Sequence, residues 1–304
     1  MKTIKTSLFL AVIFFAFTTF AEAQKFKAKV KPSAAPKPVI FAVISDGKTL
    51  EPIAFLDKGE LLPTESSGED AKVTAVFTKT YYKPKATYDL VFGGVASGKI
   101  TVVSSDPTTE CAANMANVTT SAPKIKLKGL VMGLATNVKP VKTGPAYRRL
   151  PTPAERAEID SLVRAEFTKQ KLDGPVDYHN LTAIDVDQDG KAELVGSFYI
   201  KNKPAARGLL FFIADKGADG KYSFGFSDFN SFGEADIMSG SDISVVDMGV
   251  YNELLLDSME FDGDNVNEIF TYVKSLEGAT FHVYSRADGK WTRTFESFNY
   301  HCAF

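Results

Sequence analysis

Ala183-Ile184-Asp185-Val186-Asp187-Gln188-Asp189-Gly190-Lys191-Ala192-Glu193-Leu194-Val195 sets three aspartates at alternate positions, followed by a glycine and a glutamate. Such a loop gathers carboxylate oxygens on one point, the donor set that a hard cation such as Ca²⁺ requires. Four carboxylates held that close repel one another, and a divalent ion relieves the repulsion. Gly190 permits the left-handed backbone that converges the Asp oxygens, and the Lys191 carbonyl stands at the seventh position, where the main chain supplies a ligand. The alternative is a solvated acidic turn that holds no ion.

The register returns in Met259-Glu260-Phe261-Asp262-Gly263-Asp264-Asn265-Val266-Asn267-Glu268-Ile269-Phe270. Glu260, Asp262, Asp264 and Glu268 stand over Asp185, Asp187, Asp189 and Glu193, at an offset of 268 − 193 = 75 residues. Each loop is followed by an apolar run, Glu193-Leu194-Val195-Gly196-Ser197-Phe198 or Glu268-Ile269-Phe270-Thr271-Tyr272-Val273. Further on, each unit has an Asp-Gly turn, Asp219-Gly220 or Asp288-Gly289. Both units therefore read as strand, acidic loop, strand, loop, strand, turn, strand, the four-stranded meander of a propeller blade. Two blades do not close a ring. Either the preceding chain contributes sheets, or the two units form an open body of paired sheets.

An EF-hand also opens with Asp-x-Asp-x-Asp-Gly, but it needs a bidentate glutamate at position twelve and a helix on each side. Position twelve is Gly196 counted from Asp185 and Thr271 counted from Glu260, and the flanks have strand character. The ninth-position acids, Glu193 and Glu268, are the closing ligands instead. The loop Asp185-x-Asp187-x-Asp189-Gly190-x-x-Glu193-Leu194, followed by a strand, resembles the calcium loops of FG-GAP and VCBS-type repeats, and Asp262-x-Asp264-Asn265-x-x-Glu268-Ile269 is similar. The resemblance covers about residues 181 to 304. It implies propeller-like, calcium-stabilised repeats in an exported protein. The second loop departs from it with Glu260 and Asn265 where Asp and Gly are usual, and no run of four to seven units is present.

The N-terminus reads as an export signal. Lys2 and Lys5 precede an apolar run over residues 8 to 20, and Ala21-Glu22-Ala23 is a small-x-small cleavage site. Cleavage after residue 23 leaves 304 − 23 = 281 residues, without a further apolar run of membrane-spanning length. Residues 24 to 38, rich in Lys, Pro and Ala, read as a flexible linker. Residues 39 to 140 follow as an N-terminal β domain. Its expected strands lie at 39 to 45, 50 to 56, 72 to 77, 87 to 92, 99 to 103 and 117 to 120, and residues 124 to 136 close the set. Turns are expected at Asp46-Gly47, Gly93-Gly94 and Ser97-Gly98. Gly93 to Lys99 matches part of a phosphate-binding loop, but Ile100 stands where that loop needs a Ser or Thr hydroxyl, and the hairpin reading is preferred. Residues 141 to 174 form a connector and the one convincing helix. That helix carries Thr152 as N-cap, Pro153 at the first position, Glu155 to complete a capping box, and Ile159, Leu162, Val163 and Phe167 on one face. Residues 175 to 304 hold the two repeats. The fold class is mainly β: an N-terminal β domain, one linking helix, then two blade-like four-stranded repeats.

Thirty-five Lys and Arg against 37 Asp and Glu give no basic surplus for a nucleic-acid partner. Cys111 and Cys302 are the only cysteines; in an oxidising compartment the pair suggests a disulfide, the alternative being two buried thiols. His179, His282 and His301 lack metal-ligand spacing, there is no Gly-x-Ser-x-Gly, and no Cys-x-x-Cys occurs. No catalytic or organic-cofactor residue stands out. The expected function is that of an exported, periplasmic or extracellular calcium-binding protein without enzymatic activity. It would serve binding or adhesion at a bacterial-type envelope or outside the cell, with a protein or polysaccharide as ligand. The alternative is an extracytoplasmic polysaccharide hydrolase or lyase.

Overall fold

Residues 39 to 44 form a strand in which both faces are buried, so apolar layers must lie on either side of it. The computed structural model, which describes residues 35 to 139, 141 to 237 and 242 to 302, shows what those layers are. The expected signal peptide and residues 24 to 34 of the expected linker lie outside the described residues.

The N-terminal elements are β1 (Val39–Ile44), β2 (Thr49–Asp57), β3 (Glu60–Leu62), α1 (Ala71–Tyr81), β4 (Thr87–Phe92), β5 (Val95–Ser105), β6 (Ala116–Ser121) and β7 (Gly133–Thr136). Hydrogen bonding runs β1-β7-β4-β5-β6-β2, and β2 pairs back onto β1, which closes a six-stranded barrel with β3 appended. Closure removes the free edges that an open sheet would leave. Val39, Phe41 and Val43 fill the interior with Leu50, Leu90, Ile100 and Val118, and Phe77 and Tyr81 of α1 join the same core. The alternate residues Ile40, Ala42 and Ile44 face outward into a second core.

Two meanders follow. The first is β8 (Arg148–Arg149), β9 (Val176–Ile184), β10 (Glu193–Lys203), β11 (Ala206–Lys216) and β12 (Tyr222–Gly233), with α2 (Pro153–Lys169) between β8 and β9. After the short α3 (Ser244–Asp247) comes the second, β13 (Glu253–Met259), β14 (Glu268–Lys274), β15 (Gly278–Ala287) and β16 (Lys290–Tyr300). Both are blade-like antiparallel sheets. The second meander is the middle layer of the molecule. Leu254, Leu256, Phe270 and Phe281 pack on the outer wall of the barrel. From its other face Leu255, Ile269, Tyr284 and Trp291 meet Val195, Phe211 and Ile213 of the first meander. The far face of the first meander is covered by Ile159, Val163 and Phe167 of α2. No described helix is long and apolar enough to cross a membrane.

Three local expectations are corrected. Residues 72 to 77 are helical, because Asp70 caps α1 by accepting from the Lys72 and Val73 amides at 2.8 and 3.1 Å. Thr74, Phe77, Thr78 and Tyr81 are buried at helical spacing. Ser97-Gly98 is not a turn; it lies inside β5, where the register jumps from Leu90↔Gly98 to Val91↔Ala96 and leaves Ser97 as a bulge. Of residues 124 to 136 only the last four form a strand. The Gly93-Gly94 hairpin is present, with φ of +63° and +75°. A Cβ on Gly93 would stand 2.8 Å from that of Ala146, so glycine there lets the connector cross the hairpin.

The C-terminus is fastened to the barrel. Asn299 Nδ2 donates to Glu51 Oε1 at 3.0 Å, His301 Nε2 lies 2.7 Å from the same oxygen, and Ser297 Oγ donates to the Ile53 carbonyl at 2.9 Å. Cys302 forms a disulfide with Cys111 across 191 residues. Without reductant the unfolded protein is expected to show no reactive thiol. Cys302→Ser should lower stability by about 2 to 5 kcal/mol in denaturant titration.

The capping box of α2 is formed, and Arg149 binds both oxygens of Glu155 at 2.8 Å. The guanidinium, aided by the Thr152 amide and against the effect of burial, lowers the Glu155 carboxyl from 4.5 to about 2. A depressed carboxyl stabilises the fold fully above its unfolded value, and the contribution fades as pH falls through the folded one. Glu155→Ala is therefore expected to cost about 1 to 2 kcal/mol at pH 7, and the gap to the parent should close between pH 4.5 and 2.

Candidate metal centre

The two acidic loops are the first hairpin connections of the two meanders, between β9 and β10 and between β13 and β14. They share a backbone. Gln188 and Gly190 are left-handed at φ +60° and +84°, and Gly263 and Asn265, each 75 residues on (263 − 188 and 265 − 190), at +95° and +72°. Asn tolerates this conformation because its short side chain bonds locally, which explains how it stands in for glycine. Asp187 Oδ1 accepts from the Asp189 amide at 3.2 Å and Asp189 Oδ1 from the Lys191 amide at 2.7 Å. The second loop repeats both bonds, from Asp264 to Asp262 at 3.1 Å and from Val266 to Asp264 at 2.7 Å. The loops also touch, through the Asn267 amide and the Val186 carbonyl at 2.9 Å.

Within each loop three acids converge. Asp185, Asp187 and Glu193 each offer an oxygen within 4.8 Å of the others, as do Glu260, Asp262 and Glu268. Asp189 and Asp264 are not in these groups; each is exposed and spends one oxygen on a backbone amide of its own turn. Lys191 is exposed, and its ammonium lies 3.4 Å from Asp189. Either convergent group could hold a metal ion.

The surroundings of the two groups differ in charge. Arg286 on β15 reaches across to the first loop, where its guanidinium pairs with Asp187 and lies 3.2 Å from Glu193 and 3.5 Å from Asp215. Trp291 Nε1 fixes Asp215 at 2.9 Å, and Glu193 Oε2 accepts from the Val186 amide at 3.0 Å. Burial raises Glu193 to about 7, against the lowering effects of that amide and of Arg286. The first loop thus has a built-in counter-charge, although Asp185 Oδ1 remains buried without a partner.

Among the described residues, the second loop has only Lys142 as a basic partner, its ammonium 3.8 Å from Glu260. Glu268 is 2 % exposed, and its Oε2 has no hydrogen-bond partner, nor has Glu260 Oε2. Burial, together with the charges of Asp262, Glu260 and Asp264, pushes Glu268 up to about 9. A buried carboxylate oxygen without a donor costs free energy that an ion would offset, so this donor set fits a hard divalent cation.

Sequence reasoning ranks the first loop above the second, because Asp-x-Asp-x-Asp-Gly is the more regular pattern. Arg286, which supplies the counter-charge, and Asp215, which shares it, lie outside the motif and carry no local signal. Arg148 was missed in the same way. It sits in β8, and Nη1 bonds Asp257 Oδ2 of β13 at 2.8 Å, with both side chains buried. Comparison with protein-family models, with characterised proteins and with solved structures yields no match in any of the three.

Arg286→Gln would leave Asp187, Glu193 and Asp215 without their counter-charge. In a chelating buffer it is expected to lose about 1 to 3 kcal/mol of stability, discounted for partial exposure, and to regain part of that on addition of Ca²⁺. Equal melting of variant and parent in chelator would show that the guanidinium does not compensate the loop.

Proposed function

We propose that this chain is an exported, calcium-binding repeat protein of the FG-GAP/VCBS type, without enzymatic activity, that serves binding or adhesion at the cell envelope or outside the cell. The observation that carries the calcium assignment is the second loop, in which buried Glu268 converges with Glu260 and Asp262 while Glu268 Oε2 and Glu260 Oε2 accept no hydrogen bond, the latter facing the distant Lys142 ammonium at 3.8 Å. Glu260, Asp262 and Glu268 hold the ion, with Asp264 as the neighbouring acid that adds negative charge. The ion supplies positive charge where, among the described residues, only Lys142 stands at the rim. Asp185, Asp187 and Glu193 take a second ion only when Arg286 yields its place.

Export is supported by the disulfide, since such bonds persist in oxidising compartments. The binding role is supported by the layered sheets, whose loops and outer strands are held on a rigid body by buried packing on both faces of β13. Fixing the loop that joins β13 to β14 is what calcium would contribute to that body.

Calorimetric titration with Ca²⁺ near physiological ionic strength tests the assignment. One site tighter than millimolar is expected; with a dissociation constant of about 10 μM, 1 mM Ca²⁺ would add about 2.7 kcal/mol of stability. Glu268→Gln should abolish that site and Asp187→Ala should leave it. The absence of any site tighter than millimolar would sink the assignment.

A further inference from the structure

Among the described residues, the face of the middle sheet that meets the first meander is not sealed along its whole length. Toward the end where β13 begins, a cleft of about 290 Å³ lies between β11 and β12 on one side and β13 to β16 on the other. Its rear wall is a buried polar network centred on Glu253, which is 8 % exposed. Glu253 Oε1 accepts from Thr271 Oγ1 at 2.5 Å and Tyr284 OH at 2.7 Å, and lies 3.0 Å from His282 Nδ1. Tyr284 stays a neutral donor, because burial and Glu253 raise its hydroxyl far above the usual range. Three partners on one carboxylate oxygen hold His282 in one orientation.

The mouth is lined differently. Arg293 lies 3.3 Å from Asp228, 3.9 Å from Glu253 and 3.8 Å from Glu296, and its Nε donates to Tyr284 OH at 3.3 Å. Asn230 lies along the same wall and brings a carboxamide with both donors and an acceptor. Phe232 and Tyr251 form a stacked pair at the lip, with centroids 4.9 Å apart and planes 7° from parallel. Tyr251 holds a left-handed backbone at φ +64°, and its amide N–H donates to the Lys274 carbonyl at 2.7 Å. A non-glycine residue in that region costs energy, and the surrounding bonds maintain it.

We propose that this cleft binds a neutral polyhydroxylated molecule of about the size of one sugar ring. The volume is at the small end of ligand sites, which excludes a bulky cofactor. An incoming anion meets an arginine outnumbered by Asp228, Glu253 and Glu296, which disfavours it and leaves carboxylate oxygens as acceptors for hydroxyl donors. What the cleft offers is a dense mixture of N–H donors and oxygen acceptors beside an aromatic pair. Vicinal hydroxyls, each donor and acceptor at once, match the first, and the C–H face of a ring matches the second. Glu253 Oε1 is committed to Thr271, Tyr284 and His282 and orients the wall, while Oε2 faces Arg293 at 3.9 Å. The site gives the binding role a ligand class but stands on the cleft geometry and not on the calcium assignment, whose calorimetric test is separate.

The experiment is a titration of ¹⁵N-labelled protein in saturating Ca²⁺, followed by amide chemical shifts. The probes are D-glucose, D-galactose, D-mannose and N-acetyl-D-glucosamine, with D-glucuronate and choline as charged comparators. At least one neutral sugar is expected to shift the amides of Asn230, Tyr251, His282 and Arg293 with saturation in the millimolar range. The charged comparators should bind at least about tenfold more weakly, and Asn230→Ala, on an exposed strand position, should weaken the sugar about tenfold while the remaining spectrum is kept. Four results would overturn the proposal: no neutral sugar binds, the shifts centre elsewhere, a charged comparator binds more tightly, or Asn230→Ala leaves affinity unchanged.

Discussion

Three sheets meet at one buried ion pair. Arg148, in the short strand β8, bonds Asp257 at 2.8 Å, the Leu256 carbonyl at 2.7 Å and the Met132 carbonyl at 3.0 Å. The other Asp257 oxygen accepts from the Gly94 amide of the barrel hairpin at 3.1 Å. One guanidinium and one carboxylate thus join the first meander, the middle sheet and the barrel. Phe92 closes the side of the pair, with the guanidinium carbon 4.7 Å from the ring centre. Such a pair contributes little net stability against an apolar substitute, but removing one partner leaves a buried charge and costs several kcal/mol. It bridges the three sheets in a placement where the middle sheet buries apolar residues on both faces.

The same constraint sets the electrostatics of the acidic loops. Once the middle sheet lies on the first meander, Arg286 of β15 is carried to the first loop, while the second loop faces Lys142 of the connector at greater distance. Two loops with the same turn geometry therefore end with different counter-charges. One is compensated by the chain itself. Each loop leaves a buried carboxylate oxygen without a hydrogen bond, Asp185 Oδ1 in the first and Glu268 Oε2 and Glu260 Oε2 in the second, but among the described residues only the first has a guanidinium beside it, and that contrast is the basis for proposing the ion in the second loop.

The local parts of this architecture were legible in the sequence and the long-range parts were not. The strands of both meanders, the Asp-Gly turns and the α2 capping box follow from residues within a few positions of one another. Helix α1 was hidden because Val73, Thr74, Val76, Thr78 and Thr80 favour strands by composition, while its capping aspartate and its buried spacing of three and four residues say otherwise. Closure of the barrel depends on β2 pairing with both β1 and β6, which no local pattern announces. Arg148 and Arg286 find their acids 109 and 99 residues away. Motif reading located the acids of both loops and missed the bases that decide between them.

Diffraction from crystals grown with Tb³⁺, an oxygen-seeking substitute for Ca²⁺ with a strong anomalous signal, tests the central claim most directly. The predicted map shows one dominant peak among Glu260, Asp262 and Glu268, with Arg286 still paired to Asp187 in the first loop. A dominant peak among Asp185, Asp187 and Glu193, with Arg286 displaced and the second loop empty, would contradict the account, as would the absence of a peak at either loop.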